Sequence, residues 1–168
     1  HVLDTPSGFR PEQTLTARIG LPAQSYPNRS LSRLDFSLRL VDQLRSQPGV
    51  IAAGFTNQLP MGGTLNPLGI AAEGIQPAPG ESVRTHYFSG VSSGYFTALG
   101  IPLRQGRLIE DADDRGDQRV CIVDEEVARR YWPGQSALGR RIPPNSVEFT
   151  EKNAYTIVGV VGHVKQES

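Results

Sequence analysis

Residues 120–134 read VCIVDEEVARRYWPG, and this stretch is the clearest guide to the fold. The apolar run at residues 120–123 predicts a buried strand. The charged residues that follow, about 124–131, predict a helix. Pro133 and Gly134 are expected to end it, because proline interrupts a helix and glycine favours the exit from one. The stretch therefore predicts a buried strand that leads directly into a short helix.

Residues 155–161 predict a further strand, with apolar side chains on both faces. Only a short polar stretch follows it, and the chain begins at His1 without a signal-peptide pattern. No run approaches the roughly 18–20 apolar residues that a membrane-spanning helix needs. We therefore expect the chain to be a segment of a longer protein.

The N-terminal part predicts a β-α-β unit. Residues 15–21 alternate between apolar and small or polar side chains, which is the period of a half-buried strand. A capping box that begins at Ser32 and an apolar stripe predict a helix that ends near Pro48 and Gly49. The stripe consists of Leu31, Leu34, Leu38, Val41 and Leu44. Residues 50–55 follow as a second predicted strand.

Residues 59–80 are rich in glycine and proline, and this change of composition marks the candidate boundary between two subdomains. The segment leaves room for one short strand near residues 70–73. Beyond it, residues 84–91 predict another strand. Residues 93–100 predict a short helical turn, with Ser93 as its cap and the aromatic residues that follow packed in the core.

The charges of the chain balance, since its 168 residues include 17 basic and 17 acidic side chains. An even balance provides no overall field that favours nucleic acid or anionic lipid. Cys121 is the one cysteine, so no disulfide can form within the chain. Its apolar neighbours predict a small buried hydrophobe rather than a reactive thiol. Composition therefore predicts a globular domain that does not bind nucleic acid.

The pattern Gly-x-Ser-x-Gly occurs at residues 90–94 and is typical of a serine nucleophile between a strand and a helix. A small hydrolase would use Ser92, with Asp124 as the acid and His163 as the base. That hydrolase fold needs a large sheet with several crossovers, and the sequence predicts few. The alternative interpretation, a capped turn in front of a packed aromatic pair, accounts for the same residues and is favoured.

Metal and cofactor sites are poorly supported. The acidic run at residues 110–117 resembles a calcium loop, with Asp111, Asp113 and Gly116 at ligand or turn positions. However, Arg115 would stand at a ligand position and no closing carboxylate follows, so an exposed polar turn is the better interpretation. The histidines are scattered, and no phosphate loop is present. We predict no metal and no cofactor; a ligand-binding module would instead require an enclosed pocket.

Several strings, taken together, resemble the periplasmic core domain of MacB/FtsX-like permeases of ABC transporters, especially large bacterial permeases of unassigned substrate. The strings are residues 48–53 (PGVIAA), 91–103 (VSSGYFTALGIPL) with Gly106-Arg107, 123–134 (VDEEVARRYWPG) with 138–142 (LGRRI), and 157–165 (IVGVVGHVK). The resemblance spans nearly the whole chain. It departs from the family at Ser93, where proline is usual, and at Trp132, where phenylalanine is commoner.

The resemblance implies an α+β fold. Residues 1–58 would form the first half of a porter-like subdomain, and residues 59–168 an inserted, β-rich, sabre-like subdomain. The strands at residues 15–21 and 50–55 would then lack their neighbours. Open strand edges pair readily with another chain, so we expect dimerisation through them.

The resemblance also implies a non-catalytic role on the periplasmic side of the inner membrane. The domain would pass ATP-driven motion from the transmembrane helices of a permease and its ATPase to an exported substrate or a partner such as a membrane-fusion protein. The residues that matter would be packing and turn residues rather than catalytic ones. They are Tyr95, Phe96, Leu99, Gly100, Gly106, Arg107, Tyr131, Trp132, Pro133 and Gly134.

Overall fold

The computed structural model describes residues 8, 10–26, 31–60, 67–69, 85–143 and 149–164. Helices and strands both occur within these ranges, which confirms the α+β class. The helices are α1 (Leu31–Arg45), α2 (Tyr95–Ala98), α3 (Asp111–Arg115) and α4 (Glu125–Tyr131), with a 3₁₀ turn at Pro11–Gln13. The strands are β1 (Pro67–Gly69), β2 (Thr85–Tyr87), β3 (Leu103–Gly106), β4 (Val120–Asp124), β5 (Arg141–Ile142) and β6 (Tyr155–Val161). None of these helices combines the length and the apolar character needed to cross a membrane.

Strand β6 is the centre of the main sheet. It pairs in parallel with β4 along one edge and antiparallel with β3 and β5 along the other. Helix α4 lies in the connection from β4 to β6, because a parallel pair needs a crossover rather than a tight hairpin. The strands predicted at residues 120–123 and 155–161 and the helix predicted at 124–131 are confirmed.

Two apolar clusters cover the opposite faces of β6. Val160 belongs to one cluster and its neighbour Val161 to the other, since successive side chains of a strand point to opposite faces. The buried members of the first are Cys121, Val123, Trp132, Ala137, Ile142, Ile157 and Val160. Those of the second are Tyr95, Leu99, Ile101, Val161 and Val164. Side chains of strand β6 therefore contribute to both apolar cores.

Helix α4 begins where its sequence provides a cap. The side chain of Asp124 accepts a hydrogen bond of 2.7 Å from the backbone N–H of Val127, which satisfies a free donor of the first turn. Acidic residues fill the first turn and basic residues the last, so both ends complement the helix dipole. Gly134 adopts a left-handed φ of 71° just beyond the helix, as a terminating glycine does.

Helix α1 is confirmed, but it buries only part of its apolar stripe. It starts at Leu31, one residue before the predicted cap Ser32. Leu38 and Val41 are buried at 8% and 3% exposure, whereas Leu31 remains 84% exposed. Both buried residues belong to neither of the clusters around β6. The apolar cores of the sheet therefore do not extend to α1.

The two strands predicted beside α1 are wrong. Residues 15–21 and 50–55 form no strand, and the side chains of Leu15 and Ile51 are 96% and 93% exposed. A strand needs a hydrogen-bonded neighbour, and the described residues provide one only at the end of the second segment, where Thr56 bridges Val91. The strand edges through which we predicted dimerisation are therefore not formed in the described residues.

Three further predictions need correction. Strand β3 was not predicted, because its four residues Leu103–Gly106 are all exposed and carry no apolar alternation. The polar turn predicted near residues 110–117 contains helix α3, which a capping box between Glu110 and Asp113 starts. Ser93 does not cap α2, since the cap position is Gly94.

One further predicted strand is shorter than expected, and another lies outside the described part of the chain. The strand predicted at residues 84–91 is limited to β2, which pairs antiparallel with β1. Its partner was not predicted. The strand predicted near residues 70–73 lies outside the described residues.

Candidate functional site

The aromatic and leucine residues of the predicted motif are core residues. Tyr95 and Leu99 are 8% and 6% exposed in the second cluster, and Phe96 packs against it with its ring 5.2 Å from that of Tyr95. Burial raises the pKa of Tyr95 to about 12. Trp132 is 4% exposed in the first cluster, and the ring of Tyr131 lies 5.8 Å away. These residues therefore hold the two cores against β6.

The glycines of the motif occupy turns that only glycine fits easily. Gly106 ends β3 with φ +72°, and a Cβ there would lie 2.7 Å from Cδ2 of Leu138 and closer still to the Val158 carbonyl oxygen. Gly100 has φ +66° and ends α2 against the side chain of Arg10. Gly134, which follows Pro133, has φ +71° but nothing within 4 Å of a Cβ. Gly106 is therefore both a conformational and a steric requirement, whereas at Gly100 the exposed side chain of Arg10 can shift.

The structure brings together the acid and base proposed for a hydrolase, but not its nucleophile. Nδ1 of His163 lies 2.9 Å from Oδ2 of Asp124. The hydroxyl of Ser92 instead accepts a 2.9 Å hydrogen bond from the N–H of Phe55 and donates one of 3.1 Å to the Ser93 carbonyl. Ser92 is 1% exposed, so a substrate does not reach it in this conformation. Its contacts are those of a structural serine.

The acidic run does not form a calcium loop, and no group of His, Cys, Asp and Glu suited to a metal occurs among the described residues. Asp111 and Asp113 accept hydrogen bonds from Arg45 and Arg107, which neutralise them. The thiol of Cys121 is buried, and this burial raises its pKa to about 12. A thiol of such pKa carries almost no thiolate at neutral pH and is unreactive.

The depressions described on the surface are open grooves rather than an enclosed pocket. One of 430 Å³ lies beside Asp113 and Tyr155, and one of 710 Å³ beside Arg141 and Lys152. Both are lined mainly by polar residues. Neither has the concave apolar lining that small-molecule sites usually have.

Among the described residues, a highly connected polar group lies where α1 meets the turn before α2 and the start of α3. Arg45, in the last turn of α1, donates from Nε to the carbonyl of Ala53 at 3.1 Å. Its Nη2 donates to the carbonyl and the hydroxyl of Ser93 at 2.6 and 2.9 Å, and its Nη1 donates to Oδ1 of Asp111 at 2.9 Å. We call Arg45, Ala53, Ser93 and Asp111 the Arg45 joint. One guanidinium thus connects α1, the segment after it, the turn before α2 and the start of α3.

The geometry of the turn before α2 is part of the joint. The hydroxyl of Ser93 donates to Asp111, and its backbone N–H donates to Oδ2 of Asp114 at 2.9 Å. The hydrogen bond from Ser93, together with that from Arg45, holds the pKa of Asp111 below its usual value. At Gly94, φ is +77° and a Cβ would lie 2.6 Å from Nη2 of Arg45 and closer still to the carbonyl oxygen of Ala53. The joint therefore requires glycine at this position.

Sequence analysis missed Arg45 and Asp111 as partners. A basic residue in the last turn of a helix is common, because it complements the helix dipole, so Arg45 gave no distinct signal. Asp111 was assigned to a polar turn. Ser93 was singled out in the sequence as a helix cap and not as a partner of Arg45 or Asp111.

A family model matches the chain over almost its full length, and individual relatives match parts of it. Residues 6–168 match the model of a family described as the MacB-like periplasmic core domain. The macrolide export ATP-binding/permease protein MacB of Aggregatibacter actinomycetemcomitans is 25% identical over 91 residues, which are 54% of this chain and 13% of that protein. The protein of the same name from Neisseria gonorrhoeae is 29% identical over 72 residues, which are 43% of this chain and 10% of that protein.

The fold agrees with these matches. The crystal structure of the periplasmic region of MacB from Actinobacillus actinomycetemcomitans aligns with a TM-score of 0.52 at 19% identity. The alignment covers 78% of this chain and 52% of that one, so the chain spans about half of the solved region. Since the family model matches residues 6–168, the chain belongs to the family of MacB-like periplasmic core domains.

Proposed function

We propose that this chain is the extracytoplasmic domain of a bacterial ABC-type permease and that it transmits ATP-driven motion to an exported substrate or a partner protein. Membership of the MacB-like family supports the permease setting. The buried, hydrogen-bonded Ser92 supports a role without catalysis. The domain would lie on the periplasmic side of the inner membrane.

The observation that carries the proposal is the way α1 is attached. The two apolar clusters consist of buried residues from 95 to 164, and the buried residues of α1 belong to neither. The contact of α1 with the turn before α2 instead runs through the Arg45 joint, and its contact with α3 runs through this joint and the pair of Asp42 with Arg115. Hydrogen bonds and ion pairs are directional, so such an attachment transfers a displacement and can also re-form in a second arrangement.

This attachment lies between the two subdomains that we propose for the chain. Arg45 and Ala53 belong to residues 1–58, the first half of the porter-like subdomain, and Ser93 and Asp111 belong to the sabre-like residues 59–168. The partners would be the transmembrane helices of the permease and an ATPase. The curated relatives support this assignment, because their names combine an ATP-binding and a permease part. A membrane-fusion protein is a further proposed partner.

The membrane topology of the intact protein tests whether the domain lies on the periplasmic side. Periplasmic and cytoplasmic reporter fusions at His1 and Ser168 of the intact protein are expected to report periplasm at both positions. A cytoplasmic signal at either position would contradict the proposal.

The intact permease tests the mechanism. Arg45→Ala is expected to reduce export while ATP hydrolysis in membranes continues, because the motion of the helices no longer reaches the sheet. Arg39→Ala is the matched control, since Arg39 lies on the same helix and, within the described residues, its ion pair is with exposed Asp35 at 2.6 Å. Unchanged export by a correctly folded Arg45→Ala permease would contradict transmission through the joint.

A further inference from the structure

Among the described residues, helix α3 contacts neighbouring segments through its charged side chains. It has five residues and none is buried, so apolar packing does not fix it. Each of its four charged side chains nevertheless has a partner on another segment. The pairs are Asp111 with Arg45 and Ser93, Asp113 with Arg107, Asp114 with the N–H of Ser93, and Arg115 with Asp42.

One side of α3 faces α1 through a crossed pair of charges. Asp111 lies 2.9 Å from Arg45, and Arg115 lies 2.9 Å from Asp42. Asp111 and Arg115 are four residues apart on α3, and Asp42 and Arg45 are three apart on α1, so each pair shares one helix face. The acid and the base of one helix thus meet the base and the acid of the other. Such complementarity fixes the orientation of the two helices, because the reverse arrangement would place like charges together.

The other contact of α3 leads to strand β6. Asp113 receives two hydrogen bonds from the guanidinium of Arg107, at 2.6 and 2.9 Å. The side chain of Asp113 is 9% exposed, so this pair is shielded from water better than the pairs with α1. The backbone N–H of Arg107 donates to the carbonyl of Val158 in β6 at 2.9 Å. Arg107 is therefore attached to the strand that both apolar cores share.

We infer that α3 is a coupling strut, which transfers a displacement of α1 through Arg45–Asp111 and Asp113–Arg107 to strand β6. This inference rests on the proposed transmission role and names the element that carries it. We expect a short helix that is attached by polar contacts on both sides to move with whichever partner moves. A bidentate arginine–carboxylate pair also fixes direction as well as distance.

The test measures coupling between the two ends of the strut in the intact permease. Amide hydrogen exchange is followed at residues 42–47 of the α1 end and at residues 157–161 of β6, without nucleotide. Asp113→Asn is expected to raise exchange about threefold at the α1 end, and Arg45→Ala to raise it about threefold in β6, although neither residue contacts the distant segment. Arg107→Lys, which keeps the charge but loses the bidentate pair, is expected to act in the same direction as Asp113→Asn.

The control is Asp35→Asn, which removes the exposed pair of Asp35 with Arg39 at 2.6 Å, a pair that lies outside both measured segments. It is expected to leave both segments unchanged. Exchange that rises only at residues in direct contact with each substituted side chain would overturn the strut. Because the measurement needs neither ATP nor export, this outcome would leave the proposed function standing, whereas cytoplasmic reporter signals would remove the function and leave the measured coupling intact.

Discussion

Arg45 and Asp111 are 66 residues apart in the sequence, and their side chains form an ion pair with Nη1 and Oδ1 2.9 Å apart. The same guanidinium holds the carbonyls of Ala53 and Ser93. The side chain of Arg45 is 26% exposed and that of Asp111 is 57% exposed. The pair is therefore partly screened by water, while the bonds to the carbonyls are better protected.

Substitutions of Asp111 and of Arg45 should lower the free energy of unfolding by different amounts. Asp111→Asn is expected to lower the free energy of unfolding by less than about 1 kcal/mol, because it removes a half-exposed charge pair. Arg45→Ala is expected to cost about 2 kcal/mol, because it also leaves two carbonyls without their donor. Urea unfolding measures both, and Arg39→Ala is expected to stay within about 0.5 kcal/mol of the parent. Equal costs for Asp111→Asn and Arg45→Ala would show that the carbonyl contacts contribute nothing.

A comparison of Gly94 with Gly134 separates the effect of a steric clash from that of backbone strain. Both have a left-handed φ, of 77° and 71°, but only at Gly94 would a Cβ meet neighbouring atoms within 4 Å. Gly134→Ala is expected to cost about 1 kcal/mol of backbone strain. Gly94→Ala is expected to cost about 3 kcal/mol or more, because strain and a clash with the Arg45 joint add. Thermal unfolding compares the two, and similar losses would contradict the tight fit at Gly94.

The ion pairs of Asp111 in the Arg45 joint and of Asp113 in the coupling strut should stabilise the fold less at acid pH. Hydrogen bonds from Ser93 and Arg45 lower the pKa of Asp111, and hydrogen bonds from Arg107 lower that of Asp113, from the ordinary 3.8. A carboxyl whose pKa is lower in the folded state stabilises the fold fully above 3.8, and this contribution is lost as the pH falls through the lowered value. Unfolding by urea at about pH 6 and about pH 3 measures the loss. It should be smaller in Asp113→Asn than in the parent, and an identical loss would contradict the role of Asp113.

Ser92 should behave as a structural residue. Ser92→Ala is expected to cost about 1–3 kcal/mol of unfolding free energy, because the N–H of Phe55 loses its acceptor. A fluorophosphonate probe is expected to leave the folded chain unlabelled. Ser136→Ala, which removes an exposed hydrogen bond to the N–H of Leu138, is the control and should change stability by less than about 0.5 kcal/mol. Labelling of Ser92 would revive the hydrolase hypothesis.

Self-association is still predicted, but through apolar side chains rather than through strand edges. Leu15 and Ile51 are 96% and 93% exposed, and burying such a side chain against a second chain would stabilise association by the apolar area removed from water. Light scattering is expected to show a mass that rises with concentration. The double variant Leu15→Asp with Ile51→Asp should lower that mass, whereas Gln47→Asp at a polar position should not. A parent that stays monomeric at all concentrations would contradict the prediction.

The elements that the sequence predicted well carry their own signals. Strand β4, helix α4 and strand β6 follow from apolar runs, a capping aspartate and a terminal Pro133-Gly134, all of which act over a few residues. Strand β3 carries no such signal, since it is exposed on both faces and exists because β6 pairs with it. Residues 15–21 have the alternating pattern of a strand but form none, because no described residue pairs with them. A pattern alone therefore does not make a strand.

The sequence by itself determined the α+β class, the burial of Cys121 and Trp132, and the likeness to MacB-like periplasmic domains. Only the tertiary structure decided that Arg45 meets Ser93 and Asp111, and that Asp124 meets His163 while Ser92 binds Phe55 instead. Periodicity and caps depend on neighbours within a few residues, so they can be read along the chain. Charge pairs between distant segments depend on how those segments pack, and a lone arginine or aspartate carries no mark of which partner it will meet.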